Sequence, residues 1–185
     1  PSTPNGGTMV NSLPASGKTK PRPRASTSGR YGVCTRSVSW TTYCPDAGAS
    51  PGGWTWALAG LGAQVTAIDR ADLEPRIAAL PNVKVLRHDA FTLKPEDFGP
   101  VDWLFSDVIC YPPALLAWVE KWLASGLARN FVCTIKMQGA DYDRATTDLF
   151  EAVPGSRVVH LWHNRHELTW IKVEGDRGLG SPPRD

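Results

Sequence analysis

Residues 46–54 read Asp-Ala-Gly-Ala-Ser-Pro-Gly-Gly-Trp, which places three glycines and a proline within nine residues. The next residues, Thr-Trp-Ala-Leu-Ala at 55–59, predict the first one or two turns of a helix. A glycine-rich turn that opens a helix directs backbone N–H groups and the helix dipole towards a ligand at close range. Glycines in a turn also serve backbone geometry alone. The stretch therefore predicts a loop for a nucleotide-like cofactor, with an ordinary turn as the alternative.

Apolar segments alternate with helical patterns after this loop. Buried strands are predicted at 63–69, 83–87, 101–107 and 131–136. Helices are predicted at 73–80, 112–123 and 142–153. This alternation indicates an α/β fold with a mostly parallel sheet and right-handed crossovers.

The two ends of the predicted sheet depart from that pattern. Residues 38–44 are a poor candidate for the first strand, because the run is only partly apolar and Pro45 stands where the strand should end. Residues 157–162 and 167–173 predict two closing strands. Their connection is too short for a parallel crossover, so they should form an antiparallel hairpin. The complete prediction is a seven-stranded sheet.

Polar residues follow four of the predicted strands, namely Asp69, Asp89, Asp107 and Lys136. Any one of these acids could be a helix cap or a turn residue. Together they should converge on one edge of the sheet, where α/β folds bind ligands. Asp69 is placed to accept hydrogen bonds from ribose hydroxyls, which suits NAD or S-adenosylmethionine. The glycine spacing argues against a dehydrogenase, because it does not match G-x-G-x-x-G.

The loop at 46–54 resembles the first motif of the FtsJ-type ribose 2′-O-methyltransferases, typically Asp-x-Gly-x-x-Pro-Gly-Gly-Trp. Further matches follow in family order at 106–107 (Ser-Asp), 134–136 (Thr-Ile-Lys) and 165–169 (Arg-His-Glu-Leu-Thr). The resemblance covers about 46–173. Residues 161–169 are most similar to the bacterial members that methylate a cytidine ribose in large-subunit ribosomal RNA.

This resemblance implies a Rossmann-like class I methyltransferase that transfers a methyl group from S-adenosylmethionine to a ribose 2′-hydroxyl of RNA. The implied catalytic residues are Asp107, Lys136 and Glu167. Lys136 would accept or direct the hydroxyl proton while the two carboxylates orient it, and a lysine acts as a base only if its pKa falls. The family has a further lysine upstream of the loop; Lys18 or Lys20 could supply it, and the choice stays open.

The resemblance also implies the cofactor contacts. The methionine part would lie against Ser50, Pro51, Gly52, Gly53 and Trp54. Asp69 would bind the ribose, Asp89 would lie near the adenine, and Asp107 would lie near the sulfonium or amino group. Asp102 is the rival of Asp89 for the adenine, although it falls at the start of a predicted strand.

The net charge of +2 conceals an uneven distribution. No acidic residue precedes Asp46, whereas six basic residues do: Lys18, Lys20, Arg22, Arg24, Arg30 and Arg36. A basic arm suits a polyanion such as RNA, and it could equally be a solubilising tail. We predict a disordered tail at 1–37, a methyltransferase domain at 38–174 and a flexible tail at 175–185. The fuller bacterial enzymes carry an RNA-binding region before this domain, so a non-catalytic RNA- or cofactor-binding module is the alternative.

The remaining composition predicts a soluble, cytoplasmic protein with no membrane partner; the oligomeric state stays open, with a monomer favoured. No apolar run approaches the ~20 residues that span a bilayer, and the four cysteines form no Cys-x-x-Cys pair, which favours free thiols. His160, His163 and His166 lack a nearby fourth ligand, so no metal is expected. Trp103 and Trp118 are predicted to be core residues. Trp54 and Trp162 are the better candidates for surface stacking on bases.

Overall fold

Strands and helices alternate through most of residues 42–137, 143–162 and 164–175, which are the residues that the computed structural model describes. The elements are β1 (Tyr43–Ala47), α1 (Gly53–Gly60), β2 (Gln64–Asp69), α2 (Pro75–Ala78), β3 (Val83–Arg87), β4 (Val101–Ser106), α3 (Pro112–Ser125), β5 (Ala128–Lys136), α4 (Arg144–Glu151), β6 (Ser156–Val159) and β7 (Glu167–Lys172). Two 3₁₀ turns, Ala90–Thr92 and Pro95–Asp97, lie between β3 and β4.

The strands form one sheet in the order β3-β2-β1-β4-β5-β7-β6. The first five strands of that order pair in parallel, whereas β7 runs antiparallel to both β5 and β6. The predicted α/β class, the mostly parallel sheet and the antiparallel hairpin are therefore confirmed. The strand order reverses between β1 and β4, and this switch point is where such sheets bind ligands.

The first strand differs from its prediction, because β1 continues through Pro45 to Ala47. The backbone N–H and C=O groups of its even-numbered residues point towards β2. In the same alternation Gly48 N, just after the strand, donates to Ile68 O at 2.9 Å. Its odd-numbered residues face β4, where the ladder begins only at the last two residues of β1. Pro45 therefore removes no hydrogen bond to β2, and the strand tolerates it. The predicted residues 38–41 lie outside the described part of the chain.

Helix α3 covers one face of the sheet. It begins at Pro112, where a missing N–H is tolerated, and ends at Ser125, with Gly126 as its C-cap at φ +66. Its apolar stripe is buried against the sheet, with Trp122 only 1% exposed and Val119 fully buried. The predicted packing of 115–123 on the sheet is thus confirmed, and so is the burial of Trp118.

Helix α1 covers the other face. Leu58 packs there with Val65 and Phe105, and Trp103 stacks on Phe105 with 5.8 Å between ring centroids. Trp103 is a core residue, as predicted. The longest described helix has 14 residues, and none in the described ranges is long and apolar enough to cross a membrane. The two helical layers leave the carboxyl edge of the parallel strands uncovered by helices.

Candidate active site

The glycine loop between β1 and α1 has a backbone that only glycine permits at two points. Gly48 and Gly52 have φ values of +76 and +118, in the region that other residues rarely adopt. A Cβ atom on Gly48 would also lie 2.7 Å from the backbone nitrogen of Val108. The loop is therefore packed directly against the chain that follows Asp107.

Hydrogen bonds fasten the loop to the segment after β2. Ser50 N donates to Asp69 Oδ2 at 3.0 Å, and Ser50 Oγ donates to Asp72 O at 3.0 Å. Glu74 N donates to Pro51 O at 3.0 Å. Asp69, predicted as a ribose ligand, is thus also a structural partner of the loop. Its two oxygens retain lone pairs, because a carboxylate offers about four acceptor sites.

The start of α1 presents backbone donors to the same edge. Its N-cap is Gly52, which has no side chain to cap the helix, and of the first-turn N–H groups that of Thr55 is directed at Asp46. Uncapped N–H groups at a helix start complement a carboxylate or another anionic group. Trp54 lies at this start, but its indole packs edge-on to Phe105 at 5.9 Å and its Nε1 is buried. The prediction that Trp54 is a surface stacking residue is therefore wrong.

Asp46 is a buried carboxyl group that the sequence prediction omitted from the site. It is fully buried in β1; its Oδ2 accepts a 2.6 Å hydrogen bond from Thr55 Oγ1, and its Oδ1 has no hydrogen-bond partner. Burial raises the pKa of Asp46 to about 7, although the Thr55 hydrogen bond opposes the rise. An aspartate at a strand position that should be apolar was the available signal.

Lys136 brings together the three predicted catalytic residues. Its Nζ lies 2.9 Å from Asp107 Oδ1 and 3.3 Å from Glu167 Oε1. Asp107 directly follows β4, Lys136 ends β5 and Glu167 begins β7, where it pairs with Lys136. All three side chains are mostly shielded from solvent, with Lys136 15% exposed. Three neighbouring strands therefore build a compact cluster at the carboxyl edge.

The charge state of Lys136 differs from the one expected of a base. Partial burial lowers its pKa, but the hydrogen bond and charge of Asp107, followed by those of Glu167, outweigh burial and raise the pKa above its ordinary 10.5. Lys136 is therefore an ammonium at neutral pH. The described residues do not produce the lowered pKa that a lysine base requires. Of the two predicted roles of Lys136, directing the hydroxyl proton is therefore favoured over accepting it.

The other predicted acids lie at different places. Asp89 caps the 3₁₀ turn after β3, accepting from Phe91 N at 3.0 Å, and its Oδ2 lies 4.0 Å from Arg70 Nη1. Asp102 is at the opposite edge, where its Oδ2 accepts from Tyr43 N at 3.0 Å. Asp102 is thus a structural residue and no rival at the ligand edge.

The upstream lysines and the three histidines complete the set of predicted residues. Lys18, Lys20 and His163 lie outside the described residues, as do nearly all of both predicted tails. His160 and His166 are exposed. Within 42–137, 143–162 and 164–175, no group of three or more His, Cys, Asp or Glu side chains could hold a metal ion.

The donor set at this edge fits S-adenosylmethionine. The carboxylates of Asp69 and Asp107 suit the amino group and the ribose hydroxyls. The uncapped N–H groups of α1 suit the amino-acid carboxylate. The space for a Cβ at Gly48 and Gly52 is occupied by Val108 and Ile77, so these glycines let the loop pack closely on its own chain.

A parallel sheet with this strand order, an antiparallel strand beside β5 and a glycine loop at the switch point define the class of Rossmann-like methyltransferases. The chain belongs to the FtsJ-like methyltransferase family, whose model matches residues 29–143. Membership of this family also excludes the alternative that the chain is a dehydrogenase.

Curated relatives are similar over the same region. The chain is 37% identical over 133 residues to the ribosomal RNA large subunit methyltransferase M of Aromatoleum aromaticum, and 33% identical over 133 residues to that of Thauera aminoaromatica. Each match covers 67% of this chain and 36% of the relative. The chain therefore spans little more than a third of the length of these relatives.

Solved structures share the fold at low sequence identity. An rRNA methylase from Streptococcus thermophilus is 16% identical, with a TM-score of 0.51 over 76% of this chain and 91% of that one. Fibrillarin of Aeropyrum pernix, solved with natively bound S-adenosyl-L-methionine, is 18% identical, with a TM-score of 0.51 over 71% of this chain and 66% of that one. Both likenesses support the Rossmann-like architecture.

Proposed function

We propose that this chain transfers a methyl group from S-adenosylmethionine to a ribose 2′-hydroxyl of RNA, and that the RNA is large-subunit ribosomal RNA. The observation that carries the proposal is the cluster of Asp107, Lys136 and Glu167 beside the glycine loop. Membership of the FtsJ-like family and the names of the curated relatives support the reaction and the substrate class. A cytoplasmic location follows from that substrate and stays a prediction.

In this proposal the glycine loop holds the cofactor. Residues 50–54 line its methionine part, Asp69 accepts hydrogen bonds from its ribose, and Asp89 lies near its adenine. Asp107 lies beside its sulfonium or amino group. The cofactor supplies an electrophilic methyl group on a positively charged sulfur, so the protein mainly has to position the nucleophile.

Lys136 acts on the nucleophile as an ammonium. It donates a hydrogen bond to the 2′ oxygen and holds that oxygen in place, while Asp107 and Glu167 fix the direction of the lysine side chain. The carboxylate oxygens that do not contact Lys136 are the acceptors for the hydroxyl proton. Because the pKa of Lys136 is raised, this division of roles requires no neutral lysine at neutral pH.

The test is methyl transfer from labelled S-adenosylmethionine to 23S ribosomal RNA, with the modified nucleotide mapped as a 2′-O-methyl group. Lys136→Met keeps most of the length of the side chain but removes its charge. We expect it to lower the rate by about 10²–10⁴-fold, the range for a positioned proton-transfer group. Cofactor affinity, measured by calorimetry, should stay within about threefold. A Lys136→Met protein with the wild-type rate would exclude the assignment.

Two companion variants separate charge from geometry. Asp107→Asn and Glu167→Gln retain shape and remove one carboxylate each, and we expect slower transfer from both. If the wild-type protein binds the cofactor and RNA but transfers no methyl group under any condition, the domain is a binding module and the proposed reaction is wrong.

A further inference from the structure

The cluster of Asp107, Lys136 and Glu167 is flanked by two connections that expose aromatic side chains. Because β5 lies between β4 and β7, the β4–α3 connection emerges on one side of Lys136 and the β6–β7 connection on the other. The first carries Tyr111 and the second carries Trp162. We call these two residues the aromatic rim.

We propose that the aromatic rim binds single-stranded RNA by stacking on unpaired nucleobases next to the target nucleotide. This proposal rests on the proposed function, because it assigns the surface that presents the ribose to the cluster.

Trp162 differs from every other tryptophan in the described residues. It is 93% exposed, whereas the others are buried or half-buried. Tyr111 is 66% exposed and Ile109, on the same connection, is 81% exposed. Only Val85 and Leu149 among the remaining described residues are large, apolar and similarly exposed. Most of the exposed large apolar surface is therefore concentrated on the two connections beside the cluster.

Hydrogen bonds of Leu161 and Asn164 hold the chain near Trp162, whose own side chain is exposed. Asn164 N donates to Leu161 O at 2.9 Å, which closes a turn with Trp162 inside it. Asn164 Nδ2 donates to Thr169 Oγ1 at 3.1 Å and ties the turn to β7. An indole has only two side-chain torsions, so Trp162 loses little conformational entropy when a base stacks on it.

The surroundings of Trp162 favour a nucleic acid as the occupant. His160, Arg165 and His166 are exposed, and residues 160–166 contain no acidic side chain. Interleaved aromatic and basic residues are typical of surfaces that bind single strands, where aromatic rings stack on bases and cations contact phosphates. Trp162 precedes Glu167 by five residues, so the two lie within about 18 Å of each other along the chain. This reach is the upper limit of the separation between Trp162 and the cluster.

The test is equilibrium binding of a fluorescein-labelled, unstructured 12-nucleotide RNA to the full chain. We expect Trp162→Ala to weaken RNA binding by about 5- to 100-fold, and Tyr111→Ala to weaken it by a smaller factor within that range. Trp162→Phe should stay within about threefold of wild type, because a phenyl ring still stacks. Val85→Ala, on the strand at the far edge of the sheet, is the matched control and should leave RNA affinity unchanged.

Cofactor affinity separates the failure of this inference from that of the proposed function. Calorimetry should give the same affinity for S-adenosylmethionine in Trp162→Ala and wild type. If wild type binds and methylates RNA but Trp162→Ala and Tyr111→Ala bind it equally well, the stacking inference is overturned and the proposed function stands. If wild type binds no RNA and Trp162→Ala instead abolishes self-association in sedimentation, the rim is a contact between copies, and stacking is again overturned.

Discussion

Replacing Asp46 with asparagine should remove a strong pH dependence of stability. In the folded protein burial raises the pKa of Asp46 to about 7, against an ordinary value of 3.8. Between these two values the folded carboxyl keeps its proton while the unfolded one has lost it. Stability therefore falls as pH rises through this window, since the folded state binds more protons.

The size of the effect follows from the shift. Each pKa unit corresponds to about 1.4 kcal/mol, so the full contribution of Asp46 is about 4 kcal/mol. It is fully present below pH 3.8 and is lost as pH rises to about 7. Over an accessible range of about pH 4.5 to 8, the free energy of unfolding of wild type should fall by about 3 kcal/mol relative to Asp46→Asn.

The assay is urea unfolding of both proteins at a series of pH values, followed by tryptophan fluorescence and circular dichroism. The difference between the two free energies cancels the groups that both proteins share. Asparagine is a suitable replacement because its oxygen can still accept from Thr55 Oγ1. Its NH₂ group takes the place of Oδ1, which has no hydrogen-bond partner even in wild type.

Thr55→Val provides a second measurement. The Thr55 hydrogen bond lowers the pKa of Asp46, so its loss should raise that pKa further and extend the fall in stability above pH 7. Thr55→Ser keeps the donor and should behave like wild type. A difference between wild type and Asp46→Asn that stays constant within about 0.5 kcal/mol across the pH range would refute the reasoning.

Three further predictions concern the loop, the cluster and the core. Gly48→Ala should destabilise the fold by at least about 2 kcal/mol and weaken binding of S-adenosylmethionine, because φ is +76 and the new Cβ would lie 2.7 Å from Val108 N; chemical unfolding and calorimetry test this, and an unchanged protein would contradict it. Asp107→Asn should lower the pKa of Lys136, since Asp107 is the strongest of the groups that raise it; the pH dependence of lysine labelling, followed by mass spectrometry, would show no change if the carboxylate has no such effect. Trp122→Ala should lower the free energy of unfolding by about 3–5 kcal/mol, because the side chain is 1% exposed; a loss below about 1 kcal/mol in urea unfolding would contradict its place in the core.

Local sequence patterns were sufficient for most of the sheet. The strand predicted at 83–87 matches β3, and the one predicted at 63–69 differs from β2 by one residue. These strands are continuous apolar or alternating runs with clear ends, so their signal is local. Helix α2 is shorter than the predicted 73–80, because only Ile77 is buried in its single turn. The existence and type of an element were thus predictable where its first and last residues were not.

The first strand was hard to predict because it contains residues that a buried central strand usually lacks. A central parallel strand should be an apolar run, but β1 contains Pro45 and the fully buried Asp46. Proline is acceptable only because of the side of the strand that it faces, which depends on pairing with β2 and β4. Pairing between distant residues is not visible in a local pattern.

The candidate site, too, was predictable from the sequence only in part. The order of the sequence motifs predicts that Asp107, Lys136 and Glu167 lie close together, because each residue is at one end of a predicted strand. The charge of Lys136 does not, because it depends on distances of 2.9 and 3.3 Å to two carboxylates. The orientation of Trp54 towards Phe105 likewise depends on packing between α1 and the sheet.

The position of β7 has a consequence for how the protein is made. β7 is the last described strand along the chain, yet it is inserted between β5 and β6. A nascent chain emerging from the ribosome acquires Asp107 and Lys136 first and gains Glu167 only when β7 arrives. Pairing of β7 with β5 therefore completes the sheet and the ion cluster in one late event. A ribosome that stalls before residue 167 would hold a chain in which β6 has no partner strand and Lys136 lacks its second carboxylate.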